Sequence, residues 1–364
     1  MKTDGIGSEP PSLSVVIRAH NRTKFVERAV RSVLSQNLHC SKAEIVVVKA
    51  FTDPFLEGLL KTLGAKLVHV TEGGQCQHLL AGVENSSGEI IAFLDDDDEF
   101  LPGKLCAVVE AFGKNSELIY YHNSQITVDE DGNPRKEYRA AWKKPVEESG
   151  RMVFRSPFSL GDLNMFLRTE PQFNMSSIAV RRTLIEQNVE AYKRGLRQDD
   201  VLTFVCALCS RGELMLDSRR LTLYRLHKGN FSARQSNTTA QYIKENLEFL
   251  KNVVPSTVAI REYARRYGSN AAKRYISYYY YEHWLTEELL ARQQSALTVL
   301  LNLLSYVSQL YPSTFLHQLK KTGLTVLNLV YPDMALSLYV TGKFSRRTRS
   351  TLGDTVAKRT QALT

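Results

Sequence analysis

Five consecutive acidic residues, Asp95-Asp96-Asp97-Asp98-Glu99, follow directly on the apolar run Ile90–Leu94. Two carboxylates about 4 Å apart repel by roughly 4 kcal/mol at an effective dielectric of 20. On an open surface such a run is simply solvated. At the carboxyl end of a buried strand it occupies the place where open parallel sheets bind ligands, and a cation there relieves the repulsion. Hard carboxylate oxygens suit Mg²⁺ or Mn²⁺, usually shared with substrate phosphates. The expected chemistry is a metal–diphosphate site. A second acidic pair, Asp199-Asp200, opens an apolar helical stretch, where carboxylates complement the helix dipole. Arg225 and His227 alternate with Tyr224 and Leu226 and so share one face of a strand.

These groups need a scaffold that gathers strand ends. Leu13–Ile17, Ile45–Val48, Leu67–Val70 and Ile90–Leu94 are nearly continuous in apolarity, as strands buried on both faces must be. Val26, Ala29, Val30, Val33 and Leu34 recur at helical spacing between the first two, and Thr52–Leu63, Gln75–Glu84 and Lys104–Phe112 supply further helices. The alternation predicts an α/β domain, a mostly parallel sheet covered by helices, over about residues 1–235. Within it, Gln125–Val128 reads as a strand entering the turn at Asp129–Pro134, and Arg135–Pro157, with Trp142, as a long surface loop. Strands at Ser177–Val180 and Leu221–Leu226 and helices at Thr183–Asn188 and Asp199–Ser210 complete it. Residues 236–364 read as an all-helical region for packing, dimerisation or membrane-surface association.

Several of these motifs in combination resemble family 2 glycosyltransferases. They are Leu13–Arg22, the helix ending Arg31–Gln36, and Gly88–Asp98 with Pro102 and Leu105. The resemblance runs from about Leu13 to Ser232 and implies the nucleotide-sugar-binding GT-A fold, Rossmann-like in its sheet. It implies sugar transfer from a nucleotide-diphosphate donor to an acceptor hydroxyl or phosphate, with inversion. Asp95 and Asp97 match the family's Asp-x-Asp motif. Asp95 is then expected on the nucleotide ribose or the metal, and Asp97 on the divalent ion, Mg²⁺ or Mn²⁺. Asp96 between them joins the donor-binding residues, with Ala19-His20-Asn21-Arg22 after the first strand, and Asp98 stands in reserve as an outer ligand. Asp199-Asp200 resembles the family's Glu-Asp motif, which makes Asp200 the general base and Asp199 the fallback. Arg225 and His227 resemble a closing segment that approaches the diphosphate or metal. Asn174–Ser177 matches an acceptor-side region.

Two positions depart from the family pattern. The second strand ends Lys49-Ala50-Phe51-Thr52-Asp53 where an acidic pair is usual, and Leu79-Leu80 stand where an Arg-Asn pair is usual. Lys49 becomes a candidate for a phosphate or base carbonyl, and Asp53 for the missing acidic role. An inactive nucleotide-sugar-binding protein is the principal alternative. A nucleotidyltransferase is expected to carry a Gly-rich loop after the first strand, which Ala19–Arg22 lacks. Nucleic-acid binding would explain the net charge of +9, yet no signature motif accompanies it.

The remaining sequence is ordinary globular chemistry, 43% hydrophobic and 23% charged over 364 residues. Five cysteines do not make a secreted disulfide framework, which favours a cytoplasmic setting. Cys206-Ala207-Leu208-Cys209 lies in an apolar helical run without a second pair, so it reads as core. Ala296–Tyr311 has one narrow polar stripe, Thr298, Asn302, Ser305 and Gln309, and a basic tail follows Thr341. Both suit peripheral contact with the inner face of a membrane, a lipid-linked, protein-linked or sugar acceptor, or a homo-oligomer.

Overall fold

The computed structural model describes residues 11–20, 23–36, 43–135, 150–195, 197–227, 229–230, 238–291, 294–309 and 311–341. Asn21, Arg22, Trp142, Phe231, Ser232 and the basic tail lie outside them. The chain divides into two compact units, Met1–His227 with Ser256–Ile276, and Lys228–Pro255 with Ser277–Thr364.

The first unit opens with strand–helix alternation: β1 (Leu13–Ala19), α1 (Thr23–Leu34), β2 (Ala43–Lys49), α2 (Pro54–Thr62), β3 (Lys66–His69), α3 (Gln75–Glu84) and β4 (Ile90–Asp95). The four strands run parallel in the order β3-β2-β1-β4. β1 is buried along its whole length except at Arg18, because helices cover both faces. α3 approaches β1 closely at Gly82, where an added Cβ would sit 2.3 Å from Val16 Cγ1. Only a residue without a side chain permits that contact.

Beyond β4 the sheet turns mixed. β5 (Glu99–Phe100), α4 (Lys104–Lys114) and β6 (Leu118–Val128) come first, then β7 (Arg151–Arg155), α5 (Leu160–Thr169) and β8 (Ile178–Arg181). The remaining elements of this stretch are α6 (Arg182–Glu186), α7 (Val189–Arg194), α8 (Asp199–Cys209) and β9 (Glu213–Arg225). β8 pairs antiparallel with both β4 and β6, and β9 runs parallel to β6. The surface-loop expectation for Arg135–Pro157 needs correction at its end. β7 pairs antiparallel with β9, and Arg151 and Arg155 bind Asp217 and Glu213. A five-residue strand with charged ends has too little apolar period to show in sequence.

The helical elements are α9 (Thr239–Tyr267), α10 (Asn270–Ala291), α11 (Ala296–Val307) and α12 (Phe315–Val330). Both α9 and α10 contribute to each unit, and Pro255 lies inside α9 at the change. No helix among the described residues is long and apolar enough to cross a membrane. Cys76, Cys206 and Cys209 are free thiols, and Cys106 is disulfide-bonded. Burial pushes the Cys206 thiol well up and Cys209 to about 12, so this pair is packing, as its helical setting suggested.

Candidate active site

The acidic run sits at the carboxyl end of β4, and neighbouring elements fix each carboxylate separately. Asp95, half-buried, ion-pairs with Arg18, its register partner on β1. Asp96 is fully buried and accepts the His20 backbone N–H at 2.8 Å, tying the end of β4 to the end of β1. Asp97 Oδ2 lies 2.9 Å from His227 Nε2. Asp98 accepts the Ser176 hydroxyl at 2.6 Å and the Arg225 backbone N–H at 2.9 Å. One oxygen from each of Asp95, Asp97 and Asp98 falls within 4.8 Å of the others. Burial first, then Asp97 and Asp95, raise the Asp98 carboxyl well above the carboxylate range despite its two donors. Three crowded hard oxygens, one held up by its neighbours' charge, fit a divalent cation.

Arg18 joins this cluster to the second acidic pair. Its other guanidinium nitrogen lies 2.6 Å from Asp199 Oδ2. Burial opposes charge on Arg18, but Asp199 and Asp95 outweigh it and hold the guanidinium firmly protonated. Asp199 and Asp200 are the first residues of α8, entered through Gln198 with φ of 61°. Asp200 accepts its neighbour's backbone N–H at 2.8 Å. Burial, then the adjacent Asp199, pushes Asp200 up to about 7. That value suits a base working near neutral pH.

Arg225 is a buried brace. Its guanidinium bonds the Asp97 and Glu130 carbonyls at 3.0 and 3.1 Å, ion-pairs with Glu99 and covers the Phe25 ring at 5.5 Å. A helper that the sequence offered only as part of the acceptor-side match is Ser176, whose hydroxyl accepts the Asp95 backbone N–H at 3.0 Å while donating to Asp98. Asn174, at φ of 68°, turns the chain there and accepts the Ser176 N–H at 3.0 Å. Arg18 is the other helper. Its signal was present as the single charge in a strand otherwise apolar on both faces, whereas Ser176 carries no such mark.

The remaining candidates sit around this centre. Ala19 ends β1, and the exposed His20 ring is 6.5 Å from His78. Lys49 is buried at the end of β2, its ammonium 2.6 Å from both the Phe51 carbonyl and Glu57 Oε1. Asp53 caps α2, accepting the Leu56 N–H at 3.0 Å.

A family profile described as Glycosyl transferase family 2 matches residues 14–187. Over that segment the chain is similar to glycosyltransferase family 2. An uncharacterized glycosyltransferase of Nostoc sp. is 26% identical over 239 residues, covering 63% of this chain and 69% of the relative. A GalNAc(5)-diNAcBac-PP-undecaprenol beta-1,3-glucosyltransferase of Campylobacter jejuni is 26% identical over 157 residues, 41% of this chain and 49% of the relative. The crystal structure of S. aureus TarS 1–349 in complex with UDP-GlcNAc matches with a TM-score of 0.55 at 15% identity, over 93% of this chain and 92% of that chain. The fold of this chain is GT-A, followed by a helical C-terminal region.

Proposed function

We propose that the chain transfers a sugar, with inversion, from a nucleotide-diphosphate donor to an acceptor hydroxyl or phosphate. The observation that carries this is the convergence of two acidic groups on one cation, Arg18, at the carboxyl end of a parallel sheet. Asp95, Asp97 and His227 would hold Mg²⁺ or Mn²⁺, with Asp98 behind them. When bound, the metal neutralises charge on the leaving diphosphate. Asp96 fixes the β1 end with Ala19 and His20, and Asn21 and Arg22, next in sequence, join them as donor-binding residues. Arg225 holds the aspartate loop in place from behind. Lys49 and Asp53 hold the β2–α2 junction on the donor side.

Asp200 takes the proton from the acceptor oxygen as that oxygen attacks the anomeric carbon from the face opposite the leaving group. The proton ends on the Asp200 carboxyl, and the nucleotide diphosphate departs with the bonding pair. Asp199 stays ion-paired to Arg18 and keeps Asp200 basic by its charge. The catalytic part extends to about residue 235, with 236–364 as the helical part. UDP-sugars and a lipid-linked acceptor are the first substrates to test, given what the TarS structure holds and what the Campylobacter relative's name describes. The setting we infer is the cytoplasmic side of the cell, without nucleic acid.

A panel of nucleotide sugars, screened by thermal shift with and without Mn²⁺ and then by donor hydrolysis, tests the reading. Metal-dependent stabilisation with turnover supports it. Stabilisation without hydrolysis or transfer to any acceptor makes the chain a nucleotide-sugar-binding protein, and no stabilisation by any donor sinks both.

A further inference from the structure

Helix α12 is built inside out. Its buried side chains are Gln318, Lys321, Thr325 and Asn328, three or four residues apart and so on one face. Its exposed side chains include Leu316, Leu319, Val326 and Val330, with Leu316 78% exposed. The inward polar groups are bonded. Lys321 donates to Glu282 Oε2 at 2.8 Å and to Thr286 Oγ1 at 2.5 Å. Gln318 Oε1 accepts the Tyr311 N–H at 3.0 Å. α11 turns Val299, Leu303 and Tyr306 inward yet leaves Leu297, Leu300, Leu301 and Leu304 outside, again at helical spacing. Among the described residues, twelve of the seventeen exposed large hydrophobic side chains fall between Leu297 and Leu338. That density exceeds the scattered apolar exposure of an ordinary surface.

A helix facing water turns its apolar stripe inward. The reverse arrangement belongs where the surroundings are themselves apolar. A lipid surface and a second copy of the chain both offer that, and charge separates them. Residues 294–364 carry eight Lys and Arg against two acidic residues, Asp333 and Asp354; Lys321 is paired with Glu282, and six of the other seven follow Thr341. Two copies meeting here would set like charges together, whereas an anionic leaflet supplies the counter-charge.

We propose that the apolar face of α11 and α12 embeds in the interface of an anionic membrane, lying in its plane without crossing it. The contact deepens the transferase reading only in placing the enzyme where lipid-borne acceptors reside; the binding itself stands apart from catalysis.

Flotation of the full chain tests this with vesicles of phosphatidylcholine alone and of phosphatidylcholine mixed with phosphatidylglycerol. The chain should float with the mixed vesicles, and about tenfold less with phosphatidylcholine alone. The combined change Leu301→Gln, Leu304→Gln and Leu316→Gln, all at exposed positions, should reduce flotation about tenfold or more at unchanged circular dichroism. Absence of the unmodified chain from both vesicle types overturns the proposal without need of any variant. So does a dimer, seen by light scattering, that the triple change converts to monomer while flotation persists. Donor hydrolysis measured without vesicles on the same preparation reports separately on the transferase reading.

Discussion

Two clusters of inward-facing carboxylates in this molecule are treated in opposite ways. In the helical unit, Glu282 accepts from Tyr306, from His317 at 3.0 Å and from Lys321 at 2.8 Å. Burial works against its charge, yet Lys321 and His317 outweigh that and hold the carboxyl well below the usual range. In the first unit, burial and then neighbouring carboxylates win instead, and both Asp98, after β4, and Asp200, at the start of α8, are raised. One cluster contains its own counter-charge and is finished as structure. In the other, Arg18 is shared between two acidic groups, Asp95 and Asp199, and on the proposed reading a ligand completes it. Buried charge alone therefore does not mark a functional site.

That contrast breaks most sharply at Asp97. Asp97→Asn should remove metal-dependent donor binding and lower turnover by about 10³ or more, with the melting temperature of the metal-free protein preserved. Full transfer activity in this variant would erase the distinction between the two clusters. Asp200→Asn should lower kcat by about 10² to 10⁴ with donor affinity little changed. The unmodified enzyme should lose rate as pH falls through about 7, because the base must be ionised, and the variant should lack that limb. In the helical unit, Lys321→Met leaves Glu282 buried without its ammonium, a loss of about 3–5 kcal/mol. It should appear in denaturant unfolding while donor hydrolysis per folded molecule is unchanged. Glu282 has a depressed folded-state value, so its stabilisation is present above the ordinary glutamate pKa, about 4.3, and fades as pH falls below it.

What the sequence made legible follows the same physics. β1, β2 and β4 announced themselves because burial on both faces demands continuous apolarity, and α3 was read at its observed bounds, Gln75–Glu84. The acidic run was legible because it follows a buried strand directly; on an open surface the same composition is simply solvated. β7, α5 and α7 were not read, since their stability comes from partners distant in sequence; β7 exists through β9. Ser176 was visible only as a weak acceptor-side match. Its role depends on a fold that brings it to Asp95 and Asp98, about 80 residues away in sequence. The α11 stripe was seen as one polar line, but α12, whose polar face turns inward, shows the same sequence period whichever way it faces.

The smallest effect concerns Asp53, which sequence reasoning offered for the missing acidic role after the second strand and whose Oδ1 accepts the Leu56 N–H at 3.0 Å. Its position ahead of Pro54 is that of an N-cap, with proline at the first helical position where no N–H is needed. Asn caps as well as Asp, whereas Ala does not, and losing the cap costs about 1 kcal/mol. Asp53→Ala should therefore lower unfolding free energy by about that amount, and Asp53→Asn should leave it nearly unchanged. The donor KM separates the two roles, because the amide keeps the cap but removes the charge. An unchanged KM in Asp53→Asn leaves Asp53 as structure, like Glu282 a carboxylate whose work is internal. A raised KM in that variant, at unaltered stability, would move Asp53 to the donor site with Asp95 and Asp97.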